Sequence, residues 1–327
     1  MDGDTEIYTA TVETDGKTYT NSKNVYADNI GARLMGYTLS LDGDIGVNFY
    51  MELSDEIAAS DTAYMKFNIP SGEETDEEKI NVSDARTVVS GEKTWYIFKC
   101  QVAAKEMTSD ITAQIINGEN EGTTYTYSVK EYADYLLEHA NENGSDEEKA
   151  YAKAVPLVKA MLNYGAYSQI VFNSHTDRPA NAGLTDNEKK LENVSVNIAD
   201  PVFEGLPEGT IFEGATLSLK SETTLSLYFR SSTPLEFSCE GQIVEKEVSD
   251  EYYAARIRSI SAKNIGNTFD LKVNSGTVKF SPLNYCKFII ASTASAPDEQ
   301  LDKQKLDLLN VVRALYLYWQ KADAYFT

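Results

Sequence analysis

Gly36-Tyr-Thr-Leu-Ser-Leu41 returns as Gly214-Ala-Thr-Leu-Ser-Leu219. Each stretch leads into an alternating apolar/polar run, Ile45 to Leu53 and Thr223 to Ser231, with Tyr50 and Tyr228 at the same offset. Alternation in Val47, Phe49, Met51 and Leu53 predicts a half-buried strand, because successive strand side chains point to opposite faces. The match continues outward. Tyr64-Met-Lys-Phe67 pairs with Pro234-Leu-Glu-Phe237, and Ala104-Lys-Glu-Met107 with Ala262-Lys-Asn-Ile265. Further alternating strands follow at Ile111 to Ile115 and Phe269 to Val273. A unit written twice fixes the organisation before any single element does.

The repeat also covers helices. Tyr127-Ser-Val-Lys-Glu-Tyr132 corresponds to Phe280-Ser-Pro-Leu-Asn-Tyr285. Ser128 predicts an N-cap, with Glu131 completing a capping box; Ser281 predicts the same cap, followed by Pro282 at the first helical position. A longer helix closes each copy. Ser145 and Glu148 cap the first, and Pro297, Asp298 and Glu299 are read as the acidic first turn of the second. Leu157, Met161, Tyr164 and Ser168 share a face of the first. Leu309, Arg313, Tyr316 and Gln320 are their counterparts, and the apolar run from Val311 to Trp319 predicts deep packing.

The fold class is therefore α+β. Two tandem modules are expected, each an antiparallel β-sheet or sandwich followed by a short and a long packed helix. Residues 31–182 form the first module and 209–327 the second, diverged one. Residues 183–208 are the linker, within a polar stretch holding Pro179, Pro201 and Pro207. Residues 1–30 are a partial repeat, since Asn21–Asp28 parallels 127–134, or an edge hairpin. Glu73-Glu-Thr-Asp-Glu-Glu78 is expected as a solvated acidic loop.

Gly36 to Tyr50, Ala103-Ala-Lys-Glu-Met107, and Leu162-Asn-Tyr-Gly-Ala-Tyr167 with Pro179-Ala-Asn-Ala-Gly-Leu184 resemble a repeat module of large, mostly uncharacterised extracellular and surface proteins of Gram-positive gut anaerobes. The resemblance is close over about 35–184. It is weaker over 210–327, where Thr224 replaces Gly46 and Leu317 replaces Gly165. It implies secretion, cell-surface display and use beside other modules, and it supplies no catalytic residues. Some anaerobes of this kind display proteins that bind host immunoglobulin, which makes that one implied ligand class.

Bulk properties narrow the partners. The formal charge is −22, from 29 basic and 51 acidic residues. Nucleic-acid binding needs basic surface to displace counterions, so no nucleic-acid partner is expected, and an anionic membrane would repel this chain. No stretch approaches the roughly 20 apolar residues of a membrane span. Met1-Asp-Gly-Asp4 has no basic or apolar leader character, so a secreted protein would hold this chain as an internal fragment. The chain is expected to be a monomer.

Chemistry-bearing motifs are sparse. The two histidines, His139 and His175, stand in no metal-ligand spacing, and no GxSxG, P-loop or GxGxxG occurs, so no cofactor or metal is expected. Cys100 and Cys286 are read as core thiols, and Cys239 as the most exposed of the three. Asp42 and Asp44 read as a hairpin turn rather than a catalytic pair. Asn141 to Glu148 is oxygen-rich but reads as a capped turn, not a calcium loop. Tyrosine stands out with 21 copies. Tyr50, Tyr132, Tyr164, Tyr228, Tyr285 and Tyr316 recur at matched positions, which suits the core. Tyr96, Tyr125, Tyr127, Tyr252 and Tyr253 are the candidates for an outward recognition surface.

These readings favour a non-enzymatic extracellular binding module for a host protein or glycan. The alternatives are a structural spacer, an immunoglobulin-binding surface protein, and a hydrolase. Divergence between the copies suggests one binding and one supporting module, with the ligand expected on the first.

Overall fold

A computed structural model describes residues 6–14, 17–25, 30–40, 45–71, 74–91, 93–219, 222–293 and 298–327. Asp42 and Asp44 lie outside the described residues. The chain starts with a hairpin, β1 (Glu6–Thr14) and β2 (Lys17–Val25), which forms a two-stranded ladder of its own. Ser22 falls inside β2, so its parallel with Ser128 does not extend to a helix start.

The first repeat then supplies β3 (Ala32–Ser40), β4 (Gly46–Leu53), α1 (Asp55–Ala58), β5 (Ala63–Ser71), β6 (Glu74–Asn81), β7 (Arg86–Ser90), β8 (Lys93–Gln101), β9 (Ile111–Asn117), β10 (Asn120–Glu121) and β11 (Tyr125–Tyr127). These pair as two antiparallel sheets, β3-β4-β8-β7 and β10-β9-β5-β6, with β11 on β9. α2 (Val129–His139) and α3 (Asp146–Phe172) follow. The acidic run expected as a loop is largely β6, an edge strand laddered to β5. Backbone pairing overrides its low strand propensity, and charged side chains on an edge discourage pairing with another chain.

The second repeat follows α4 (Asp186–Lys189) and β12 (Val202–Glu204). Its strands are β13 (Ile211–Ser218), β14 (Thr224–Arg230), β15 (Phe237–Ser238), β16 (Val244–Ser249), β17 (Tyr252–Ile257), β18 (Phe269–Val273) and β19 (Gly276–Phe280), and its helices α5 (Pro282–Thr293) and α6 (Lys303–Phe326). The sheets are β13-β14-β17-β16 and β12-β19-β18-β15. The order β3-β4-β8-β7 is thus repeated as β13-β14-β17-β16. A β-bulge recurs at the same place, between Leu34 and Gly36 and between Phe212 and Gly214. The matched 104–107 and 262–265 segments both hold single 3-10 turns.

In each copy the inner sheet faces meet through aromatic rings. Phe49 lies 5.5 Å from Phe67, and Phe229 lies 5.5 Å from Phe237. All four helix starts foreseen from the repeat can be compared. Ser128 and Glu131 form the capping box, and Ser145 and Glu148 exchange the same pair of bonds. At Ser281 the amide donates to Asn284 Oδ1 at 2.7 Å while the hydroxyl accepts from the Leu283 amide. The fourth differs. α6 begins at Lys303 under an Asp302 cap, and Asp298 instead pairs with Arg313 at 2.6 Å. Asp302 wins because its carboxylate accepts the Lys305 amide at 2.9 Å.

By contacts the chain divides into two compact units inside α3, between Val158 and Lys159, two residues after Pro156. The C-terminal half of α3 belongs to the second unit, where Tyr164 stacks on Tyr318 at 5.8 Å. The segment read as a linker is also tied down in that unit. Asn181 donates to Asn163 Oδ1, the Ala180 amide donates to Gln169 Oε1, and Asn284 and Lys287 donate to the carbonyls of Ala199 and Ile198. Ala180, Asn181, Leu184 and Val196 are buried. Polar composition here serves hydrogen bonds to helices rather than solvent.

Glu188 anchors this strap. It pairs with Lys159 and accepts from the Thr185 hydroxyl and amide, which together draw its carboxyl down to about 2. A depressed acid contributes its stabilisation above the ordinary carboxylate range and loses it as pH falls towards 2. An NMR titration should find Glu188 still ionised at pH 3.5, and Lys159→Met should raise its midpoint. Gly46 offers a second test. A Cβ there would stand 2.3 Å from the Cys100 carbonyl oxygen across the β4–β8 ladder. Gly46→Ala should lower unfolding free energy by about 1–3 kcal/mol in urea titration, the usual cost of overpacking.

Candidate functional site

Strand alternation decides which side chains each sheet shows to the outside. In β14, Leu225, Leu227 and Phe229 turn into the core, which leaves Thr224, Ser226 and Tyr228 on the opposite face. In β17, Ala255 and Ile257 turn inward and Arg256 outward. Thr216, Ser226, Arg256 and Glu245 form one register row across all four strands. The neighbouring row is Gly214, Tyr228, Ala254 and Glu247. Tyr228 therefore stands between glycine and alanine, so no bulky side chain lies directly across either ladder from its half-buried ring.

The first row and Tyr228 of the second, with Ser218, Glu222, Thr224 and Arg258, line a groove of about 380 Å³, within the size range of small-ligand sites. Arg258 closes one end. It pairs with Glu222 and, at 2.6 Å, with Glu245, and these two carboxylates raise its pKa above the ordinary guanidinium value. The Ser259 hydroxyl donates to Glu222 from a left-handed backbone position, φ 53°. Arg256 pairs with Glu247 through one terminal nitrogen, while its enclosed Nε has no partner among the described residues. At the other end Tyr228 OH and Thr216 Oγ1 are hydrogen-bonded at 3.2 Å. The groove lining holds two carboxylates, Glu222 and Glu245, and two guanidiniums, so its formal charge balances.

The corresponding face of the first unit keeps the frame and changes the chemistry. Thr38 and Tyr50 repeat the Thr216–Tyr228 bond at 3.4 Å. Beside Tyr50, however, stand Met35, Trp95 and Ile97, which form a buried apolar cluster with Val88. Tyr50 meets Trp95 edge to face at 6.4 Å. The backbone of β1 approaches both β3 and β7, the two edges of that sheet. The open polar groove therefore lies on the second unit, whereas the sequence favoured the first.

The five tyrosines proposed as a surface do not form one. Tyr125, Tyr127 and Tyr253 are buried, and Tyr127 lies against Tyr37 with ring centroids 3.5 Å apart. Tyr96 is half-buried, opposite Met51 on the inner face. Tyr252 alone is well exposed, at 56%. Tyr253 stands two and four positions from inward-facing Ala255 and Ile257, and Tyr96 two and four from Phe98 and Cys100, so strand parity turns them inward, whereas Tyr252 is one position out of step. Among the matched tyrosines, Tyr50, Tyr132, Tyr164 and Tyr316 are buried, and Tyr228 and Tyr285 half-buried. Tyr228 was read as core, yet it lines the groove. The signal that finds it is the polar content of its own face, Thr224, Ser226 and Arg230.

The other chemical groups have structural uses. His139 ends α2, with Nδ1 2.8 Å from the Tyr135 carbonyl and its ring stacked on Tyr135. His175 contacts Arg178 in a turn. Asn141 to Glu148 is a capped turn, where Asn141 Oδ1 accepts the Asn143 amide and Ser145 and Glu148 cap α3. Among the described residues no cluster of three or more His, Cys, Asp or Glu could hold a metal ion. No helix among them is long and apolar enough to cross a membrane. All three cysteines are free and buried, and Cys239 is the most accessible of the three, as its sequence setting suggested. The chain matches no protein-family model and no curated protein.

Burial raises the Cys286 thiol to about 12 and pushes Cys100 and Cys239 up as well. A thiolate is the reactive species. At pH 8 the native protein should therefore leave all three thiols unlabelled by Ellman's reagent over minutes, and unfolding in guanidinium should release three equivalents.

Proposed function

We propose that this chain is a non-enzymatic binding part of an extracellular or cell-surface protein, and that the second unit carries its recognition site for a host glycan or protein. The observation that carries the reading is the open polar groove on the β13-β14-β17-β16 face. Two copies of one sandwich present that face in opposite ways, one packed with apolar side chains and one lined with hydroxyl, guanidinium and carboxylate groups. A supporting copy and a displaying copy account for the contrast. The resemblance over 35–184 supports the extracellular setting.

Several features support recognition over turnover. Glu222 and Glu245, the two carboxylates of the groove, both pair with the same guanidinium. Neither histidine lines it. Catalysis needs groups poised to exchange protons with a reacting centre. Binding needs fixed donors and acceptors, which a ladder of four strands supplies.

The reading is tested with immobilised protein and variants in the groove. Wild type should capture a component of serum or mucosal secretions saturably, with the captured material released unaltered. Arg258→Ala and Tyr228→Ala should each reduce capture at least tenfold while circular dichroism stays unchanged. Capture that both variants retain in full would contradict the assignment to the groove. Blank capture by wild type would contradict the binding function.

A further inference from the structure

We infer that the groove takes a neutral oligosaccharide, a ligand class that rests on the binding function proposed above. The first argument is charge. Both guanidiniums are already paired with carboxylates, Arg256 with Glu247 and Arg258 with Glu222 and Glu245. An anionic sugar would have to displace those carboxylates and then sit beside them, on a chain of net charge −22. An uncharged ligand meets no such opposition.

The second argument is hydrogen-bond type. Five hydroxyls line the groove; those of Thr216, Ser218 and Tyr228 belong to exposed or half-buried residues, those of Thr224 and Ser226 to buried ones, and each can donate and accept. Sugar hydroxyls have the same dual character, so a pyranose ring can exchange bonds with this surface in both directions. Glu245 adds an acceptor and the guanidinium of Arg256 adds donors. Charged partners make the stronger hydrogen bonds and can grip neighbouring hydroxyls together.

The third argument is shape. Tyr228 stands between Gly214 and Ala254, so the apolar C–H side of a sugar ring can lie against it. About 380 Å³ suits a short saccharide. A protein partner generally covers roughly 800 Å² on each side around buried aromatic or aliphatic anchors, and the groove lining includes no aliphatic side chain.

The test is an array of immobilised neutral di- to tetrasaccharides beside their sialylated and sulfated forms, probed with the full chain and with Tyr228→Ala and Arg256→Ala. Saturation-transfer NMR with the best free sugar serves as a second readout. Both substituted residues are on the outer face, and circular dichroism verifies that each variant folds. Neutral sugars should bind wild type, with affinity reduced at least tenfold in both variants. Binding confined to sialylated or sulfated probes overturns the proposal, as does neutral binding that both variants keep. A serum protein captured after complete deglycosylation, with loss in the groove variants and no glycan signal, also overturns it but leaves the binding function standing. No ligand in any format overturns both.

Discussion

The packing of two sheets through their inner faces is the constraint on which each unit depends. Phe49 against Phe67, and Phe229 against Phe237, mark where those faces meet. Burying such rings fixes strand register, because a slip of one residue would send every core side chain to the outside. Register in turn fixes the outer rows. Tyr228 faces outward because Leu227 and Phe229 cannot. The groove is thus a consequence of core packing rather than a separate feature laid over it.

The same constraint explains how two copies can share a frame and differ in use. Inner positions must stay apolar, while outer positions are free to change as long as the ladder survives. The bulge at Gly36 and Gly214 and the Thr–Tyr bond beside it persist in both. Around them the first unit places Met35, Trp95 and Ile97, and the second places Ser226, Arg256 and Arg258. On this face the two repeats differ in chemistry while their strand order is the same. That is also the face that can meet a ligand.

Much of the fold was legible in the sequence. Matched alternation located the strands, and cap chemistry located three of four helix starts. What escaped has physical causes. The strap after α3 looked like a linker because its own residues are polar and interrupted by Pro179, Pro201 and Pro207, and composition does not distinguish a hydrogen bond to water from one to a helix. The acidic β6 looked like a loop because ladder bonds belong to the backbone. The candidate site was less legible. The tyrosine surface failed because strand parity and not residue type sets the face a ring takes, and it turns Tyr96 and Tyr253 inward. The groove needs Arg258 and Glu222, brought together from distant positions by pairing that no local pattern reveals.

Hydroxyl-radical footprinting of the native chain measures the contrast between the two outer faces directly. Methionine and tryptophan are intrinsically more reactive than tyrosine towards this probe. The account predicts that Met35 and Trp95 are nonetheless protected, and that Tyr228 and Tyr252 are modified. Oxidation of Met35 and Trp95 at rates typical of exposed side chains, with Tyr228 protected, would contradict it.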